Sequence, residues 1–291
     1  MLTGQVTVVV ATRNRRPGLC RTLAQLTGLP EQPPIVVVDN GSDDGTVPAV
    51  RAEFPHVELV ALRRNLGAHA RNYGVRRART PYVALSDDDS WWEPGALTRA
   101  VKVLEAHPGL GLIAGTTLVG ADDAPDPLNA VLAASPLPPG GLPGPRLLGF
   151  LGCAAVARRD AFLAAGGYSR LLRIGGEEEL LAYDLAARGW PISYQPDVVV
   201  HHWPSASRDP RRRRIQELRN HVLIGWLRRP LAHALAGTAQ LATAAWRDRD
   251  PLAARALAEA VISLPRVLPR RRPLPGPVEA DIQLLEHPRA A

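Results

Sequence analysis

The sequence predicts an α/β protein with a mostly parallel central sheet flanked by helices and a helical C-terminal extension. Three observations predict it. Strand-like and helix-like segments alternate four times before residue 90. The strand-like runs "VTVVVAT", "IVVVD" and "YVALS" are nearly continuous in apolar character, as strands buried on both faces are. Each strand is also followed by polar residues: Thr12-Arg13-Asn14, Asp39-Asn40, Arg63-Arg64-Asn65 and Asp87-Asp88-Asp89. Open α/β sheets bind ligands outside the carboxyl ends of their strands, so four polar clusters on one edge predict a single site.

The elements follow in order. Residues 5–12 read as a buried strand, and 15–29 as a helix with Leu19, Leu23 and Leu26 on one side. A second strand in 33–46 runs into the turn-rich acidic loop "DNGSDDGT". "TVPAVRAEF" is a short helix, "VELVALRRN" the third strand, "GAHARNYGVRRAR" a helix and "PYVALSDDD" the fourth strand. A helix over Pro94–Ala106 and the strand-like "GLIAGTTLVG" come next. Residues 122–146 are rich in Pro and Gly and read as a long loop, the kind that forms lids or binding surfaces. Residues 149–168 read as strand then helix, 175–190 as a helix with an acidic first turn, and "PISYQPDVVVHHW" as a final strand. From Pro210 the chain reads as helical, with Ile215, Leu218, Val222 and Trp226 on one stripe, and its proline-rich end as extended. The expected organisation is a catalytic domain over 1–206 and a basic helical extension over 207–291.

Bulk properties narrow the class. The 291 residues are 46% hydrophobic and 22% charged, ordinary for a globular protein of one large or two small domains. Two distant cysteines, Cys20 and Cys153, exclude a disulfide framework or zinc finger and fit a reducing compartment. The start of the chain lacks the order of a signal peptide, and no apolar run of 18 or more residues is present. The expected location is therefore cytoplasmic. The net charge of +7 is uneven: the last 85 residues hold 16 arginines against 8 acidic residues, leaving the rest near neutral. A basic tail suits an anionic surface, such as the inner face of a membrane. Arginine is also this protein's ordinary cation, since Lys102 is its single lysine.

The sharpest local feature is the aspartate triplet closing the fourth strand. Three adjacent carboxylates repel one another and resist burial. A divalent cation resolves this, because Mg²⁺ or Mn²⁺ takes one or two carboxylates with phosphate oxygens and water. A solvated turn would explain the triplet alone. No GxGxxG follows the first strand and no GxxxxGK[ST] occurs, which excludes the usual dinucleotide and P-loop sites.

Six segments occurring in order carry a resemblance: "VTVVVATRNRR", "IVVVDNGSDDGT", "NLGAHARNYGV", "LSDDDSWWEPGAL", "GCAAVARRDAFLAAGGY" and "GGEEELLAYDLAARGW". Together they resemble the family 2 glycosyltransferases of the GT-A (nucleotide-diphospho-sugar transferase) fold, over about residues 5–203. The resemblance implies an inverting enzyme that moves a sugar from a nucleotide-sugar donor to an acceptor hydroxyl, with Mg²⁺ or Mn²⁺ as cofactor and no nucleic acid partner. It implies that Asp39 hydrogen-bonds the donor's base and that Thr12 and Arg13 line the base and ribose pocket. Asn65, Gly67, Arg71 and Asn72 would lie beside the nucleotide. Asp89 would ligate the metal; Asp87 would contact the ribose or the metal's water; Asp88 would belong to the nucleotide-sugar site. His201 and His202 would lie near the metal or diphosphate. The family commonly carries Glu-Asp at the start of the acidic helix, the Asp being the general base. Here Glu177 takes the first position and Glu178 the base position, and Glu179 stays a third candidate. Trp91 and Trp92 are candidates for sugar stacking or for the core, and "GGY" (166–168) resembles the acceptor-side segment.

Two rival readings stand beside this one. A sugar nucleotidyltransferase shares the layout but wants a Gly-rich basic loop where this chain has "TRNRRPG". A non-catalytic module docking on membrane or polymer would use the basic tail and a decayed pocket, against which the intact carboxylates argue.

Overall fold

A computed structural model describes residues 4–204 and 209–287. Among them the strands are β1 (Val6–Thr12), β2 (Ile35–Asp39), β3 (Glu58–Ala61), β4 (Tyr82–Asp87), β5 (Ser90–Trp92), β6 (Leu112–Val119), β7 (Ala124–Pro125), β8 (Arg146–Leu147), β9 (Ala155–Arg158) and β10 (Ile192–His202). The helices are α1 (Arg16–Thr27), α2 (Thr46–Glu53), α3 (Arg71–Arg77), α4 (Ala96–Ala106), α5 (Pro127–Ala133), α6 (Arg159–Ala164), α7 (Glu177–Ala186), α8 (Pro210–Arg228), α9 (Leu231–Trp246), α10 (Pro251–Val267) and α11 (Gly276–Glu286).

One sheet runs β3-β2-β1-β4-β9-β6-β10-β5, with β7 on β6 and β8 on β10. The first four strands are parallel, as expected. The other half is mixed: β9 enters antiparallel between β4 and β6, and β5 pairs antiparallel with the end of β10. The order reverses about β1, so the ends of β1 and β4 flank the crevice where such sheets bind ligands. Thr12 stands beside Asp39, and Ala11 beside Asp87, in register.

Strand alternation explains the unbroken apolar runs. Val8 and Val10 of β1 face one core with Leu19, Leu23 and Leu97, while Val9 faces another with Val75, Phe162 and Leu181. A third core joins Leu172, Leu180 and Tyr183 to Ile215, Val222, Leu223 and Leu241 of the tail. The expected stripe on α8 is thus used for packing, with Leu218 and Trp226 at its margin.

Two expectations are corrected. The 122–146 segment is not a bare loop: it holds β7 and α5, whose Asp126 side chain accepts from Leu128 N at 2.8 Å. The proline-rich end is extended only in part: 271–275 carries no helix, whereas Gly276–Glu286 folds as α11 with Pro277 in its first turn, and 288–291 lie outside the described residues. The expected domain boundary at 206/207 lies outside the described residues. Across it, Arg228 donates to both Asp184 oxygens at 2.6 and 2.9 Å. Buried Arg229 donates to Glu279 and Glu286 at 2.7–3.0 Å. No helix among the described residues is long and apolar enough to cross a membrane.

Candidate active site

The aspartate triplet is a tight turn from β4 into β5. Ser90 Oγ accepts the Asp87 N–H at 2.8 Å and closes it. Each carboxylate of the turn meets a countercharge, Asp87 on one arginine and Asp88 and Asp89 sharing another. Asp87 pairs with Arg71. Asp88 accepts the Thr12 hydroxyl at 2.8 Å and lies 3.6 Å from Arg15. Asp89 accepts from Arg15 at 3.0 Å and lies 3.3 Å from His202 Nε2. Burial pushes Asp88 up to about 6, against the opposing pull of Arg15 and Thr12. Its carboxylate braces β1 against the turn.

Asp87, Asp89 and His202 each offer one ligand atom, and these atoms lie within 4.8 Å of one another. Two carboxylate oxygens and an imidazole nitrogen form a donor set that fits a divalent cation. His201, one residue earlier on β10, faces elsewhere because side chains alternate along a strand. It stacks on Trp91 with ring centroids 5.7 Å apart and meets Asp123 at 2.8 Å. The cluster therefore takes one of the two expected histidines. Trp92 is fully buried in the core, whereas Trp91 lies half-buried between His201 and Trp203. A cavity of about 500 Å³ opens beside Asp88 and Asp89, walled by Arg15, Arg21, Trp91 and Trp203.

The acidic helix start approaches the same place from the other side. Gly175 (φ +92°) and Gly176 (φ +83°) take left-handed backbone that other residues rarely adopt, and α7 begins directly after them. Half-buried Arg71 links the two sides: it pairs with Asp87, and Glu178 and Glu177 act on it electrostatically. Burial opposes its charge, but Asp87, Tyr168 and the two glutamates outweigh that and hold its proton more firmly than usual. Burial, then repulsion from Glu177, pushes Glu178 up to about 8. Burial raises Glu177 also. Glu179 turns away and accepts the Tyr183 hydroxyl at 2.8 Å. Of the three candidates, the structure brings Glu177 and Glu178 to the site and leaves Glu179 out.

The residues expected beside the nucleotide divide. Asp39 is buried; one carboxylate oxygen accepts from Ser42 N at 3.1 Å, and the other, Oδ1, has no partner among the described residues. Arg13 is exposed and donates to the Gly41 carbonyl. Asn65 accepts from Asn40 Nδ2 and Gly67 N, shaping a turn. Gly67 has φ +63°, and a side chain there would strike the Arg173 backbone. Asn72 is 1% exposed and clamps Tyr168, accepting its N–H at 2.9 Å and donating to its carbonyl at 3.0 Å. Asn72 is thus spent on backbone groups, and the Asn65 side-chain oxygen on the Asn40 amide and the Gly67 N–H.

Two further residues take part that sequence reasoning did not single out. Arg15 bridges Asp88 and Asp89; its only signal was its place after a strand end. Gly152 lies under the base candidate: a Cβ there would meet Glu178 Oε1 at 2.8 Å and the Tyr168 hydroxyl at 3.4 Å. That hydroxyl is buried without a partner among the described residues.

Comparison with known proteins agrees with this layout. The family model for "Glycosyl transferase family 2" matches residues 7–163. The N-acetylglucosaminyl-diphospho-decaprenol L-rhamnosyltransferase of Mycobacterium tuberculosis is 26% identical over 287 residues, covering 82% of this chain and 92% of the relative. A pre-mycofactocin glycosyltransferase of the same organism is 28% identical over 209 residues, covering 68% and 42%. Among solved structures, the mannosyltransferase PcManGT from Pyrobaculum calidifontis, in complex with GDP-Man and Mn²⁺, superposes with a TM-score of 0.59 at 24% identity, covering 98% of this chain and 88% of that one. S. aureus TarS residues 1–349 with UDP-GlcNAc gives a TM-score of 0.53 at 16% identity, covering 76% and 66%. These likenesses establish the GT-A fold.

Proposed function

The chain belongs to glycosyl transferase family 2, and from that premise we propose that it transfers a sugar from a nucleotide-sugar donor to the hydroxyl of a lipid-linked acceptor, with inversion. The carrying observation is the opposition of two charge systems across Arg71: the Asp87, Asp89 and His202 cluster on one side, Glu177 and Glu178 on the other. The acceptor class is suggested by the mycobacterial relative, whose name specifies a diphospho-decaprenol saccharide. The glycosyltransferase relatives and the intact carboxylates leave the nucleotidyltransferase and binding-module readings without support.

In this reading Asp87, Asp89 and His202 hold the divalent cation. The imidazole favours Mn²⁺ over the harder Mg²⁺. Such an ion supplies charge stabilisation to the departing nucleoside diphosphate. The chain's own residues do the rest. Asp39 Oδ1, buried and unpartnered, accepts an N–H from the donor's base. Glu178 takes the proton of the acceptor hydroxyl as its oxygen attacks. A carboxyl held near 8 is a stronger base than an ordinary glutamate and is matched to that transfer. Arg71 fixes Asp87 and keeps the neighbouring glutamates from repelling the site open. Positioned proton transfer of this kind contributes roughly 10²–10⁴-fold.

A thermal-shift panel tests the donor half. The protein is heated with UDP-, GDP- and dTDP-sugars, with Mn²⁺, Mg²⁺ or EDTA. One nucleotide class should stabilise it by about 2.7 kcal/mol at a hundred times its dissociation constant. EDTA and Asp89→Ala should each remove the effect. No shift with any nucleotide at millimolar concentration refutes the donor site.

A further inference from the structure

The arginines of the tail fall into two groups. Four turn inward and are structural: Arg228 and Arg229 pair with Asp184, Glu279 and Glu286, Arg219 donates to the Leu171 carbonyl, and Arg271 donates to the Trp226 and Arg229 carbonyls. Ten others among residues 209–287 are exposed, against three exposed acidic residues, Asp209, Asp248 and Glu286. The same region is rich in exposed apolar side chains, holding seven of the nine large ones among the described residues. Two of the best exposed are Trp246, 87%, and Ile262, 73%.

Helix α9 concentrates this character. Its 16 residues, "LAHALAGTAQLATAAW", include no Asp, Glu, Lys or Arg. At the α-helical turn of about 100° per residue, Leu231, Leu235 and Trp246 fall within an arc of roughly 60°, and all three are exposed. Leu241 and Ala234 lie on another side and are buried. Helix α10 exposes Val261 and Ile262 beyond its own buried stripe of Ala253, Ala256 and Ala260. Exposed arginines follow each patch: Arg247 and Arg249 after Trp246, Arg266 and Arg270 after Ile262.

We propose that the outer faces of α9 and α10 dock the protein on an anionic lipid surface, with Trp246, Leu235 and Ile262 entering the headgroup region and the four flanking arginines meeting lipid phosphates. A tryptophan with apolar neighbours and a rim of cations is the pattern of an interfacial helix lying in the plane of a bilayer. Charge complementarity selects lipid over a second copy of this chain. A twofold contact through these faces would bring the same arginines toward one another. The inference stands apart from the assignment of donor and acceptor, and its test needs neither.

The test is flotation of the full chain with phosphatidylcholine vesicles, with and without about one third phosphatidylglycerol, at low and high salt and without donor or metal. Binding is expected to the anionic vesicles at low salt, and little to the neutral ones. Replacing Arg247 and Arg249 by Gln should weaken it by about fivefold per residue. Trp246→Ser with Ile262→Ser should weaken it by about tenfold or more; both positions are exposed, so an unchanged circular-dichroism melt should accompany the loss. If that variant misfolds, the arginine pair decides alone. The proposal is overturned by no flotation with anionic vesicles, by equal flotation with neutral ones, or by variants that bind like the wild type. It is equally overturned if size exclusion gives a dimer that Trp246→Ser dissolves.

Discussion

The substitution Glu178→Gln should make the protein more stable and inactive together. A carboxyl at about 8 against the ordinary 4.5 resists ionisation in the folded state by up to about 5 kcal/mol, at about 1.4 kcal/mol per unit. The sign follows from proton counts. Between pH 4.5 and 8 the folded protein keeps a proton that the unfolded chain has released, so wild-type stability falls as pH rises through that window and levels above it. Glutamine has nothing to ionise. Glu177 is also raised by burial and keeps part of the slope in the variant, so the gain attributable to Glu178 should be a few kcal/mol at pH 8 and close to nothing at pH 4.5. Urea unfolding of both proteins at half-unit pH intervals, in EDTA, reads this directly. Turnover should fall by about 10²–10⁴, and wild-type turnover should climb with pH up to about 8 as the base loses its proton. Parallel stability curves would refute the burial argument, and retained turnover would refute the role.

Three more outcomes are expected. Gly152→Ala puts a methyl against Glu178 Oε1 and the Tyr168 hydroxyl; steady-state kinetics should record kcat down about tenfold or more, with donor KM little changed. Asn220→Ala removes the amide that donates to the Ile174 and Gly175 carbonyls at 3.0 and 2.6 Å; chemical unfolding should register a loss of about 1–3 kcal/mol, and kcat should drop because the turn before Glu177 loosens. Asp39→Ala takes away the unpartnered buried acceptor; calorimetric titration with free nucleotide should find affinity about ten- to a hundredfold weaker, the worth of one hydrogen bond to a charged group.

The parallel half of the sheet was legible because β1, β2 and β4 are buried on both faces and so read as continuous apolar runs. Their polar ends marked the candidate site, and the glycine pair with its three glutamates marked the start of a helix, which only the family resemblance connected with a general base. What escaped was short or ambiguous. A three-residue strand such as Ser90–Trp92 is too brief for any periodicity to register. The prolines near the end read as extended chain, yet the tail places proline where helices begin: Pro210, Pro251 and Pro277 occupy first turns. An asparagine looks the same in sequence whether it faces a ligand or a backbone, and only the fold assigns Asn72 to Tyr168. His201 and His202 were indistinguishable until the pleat separated them.

The third core, built jointly from Leu172, Leu180 and Tyr183 and from the tail helices, bears on how the molecule opens. The segment bearing the base candidates cannot detach without breaking that shared packing and parting Asp184 from the two-pronged Arg228 contact. Local opening is therefore expected to skip this seam. Amides of α7 and α8 should exchange with solvent together, at the slow rate of the whole molecule, whereas the half-buried edge strand β3 exchanges early. The change of composition near residue 206 marks where arginine accumulates, and the unit that exchanges together is expected to include residues from both sides of it.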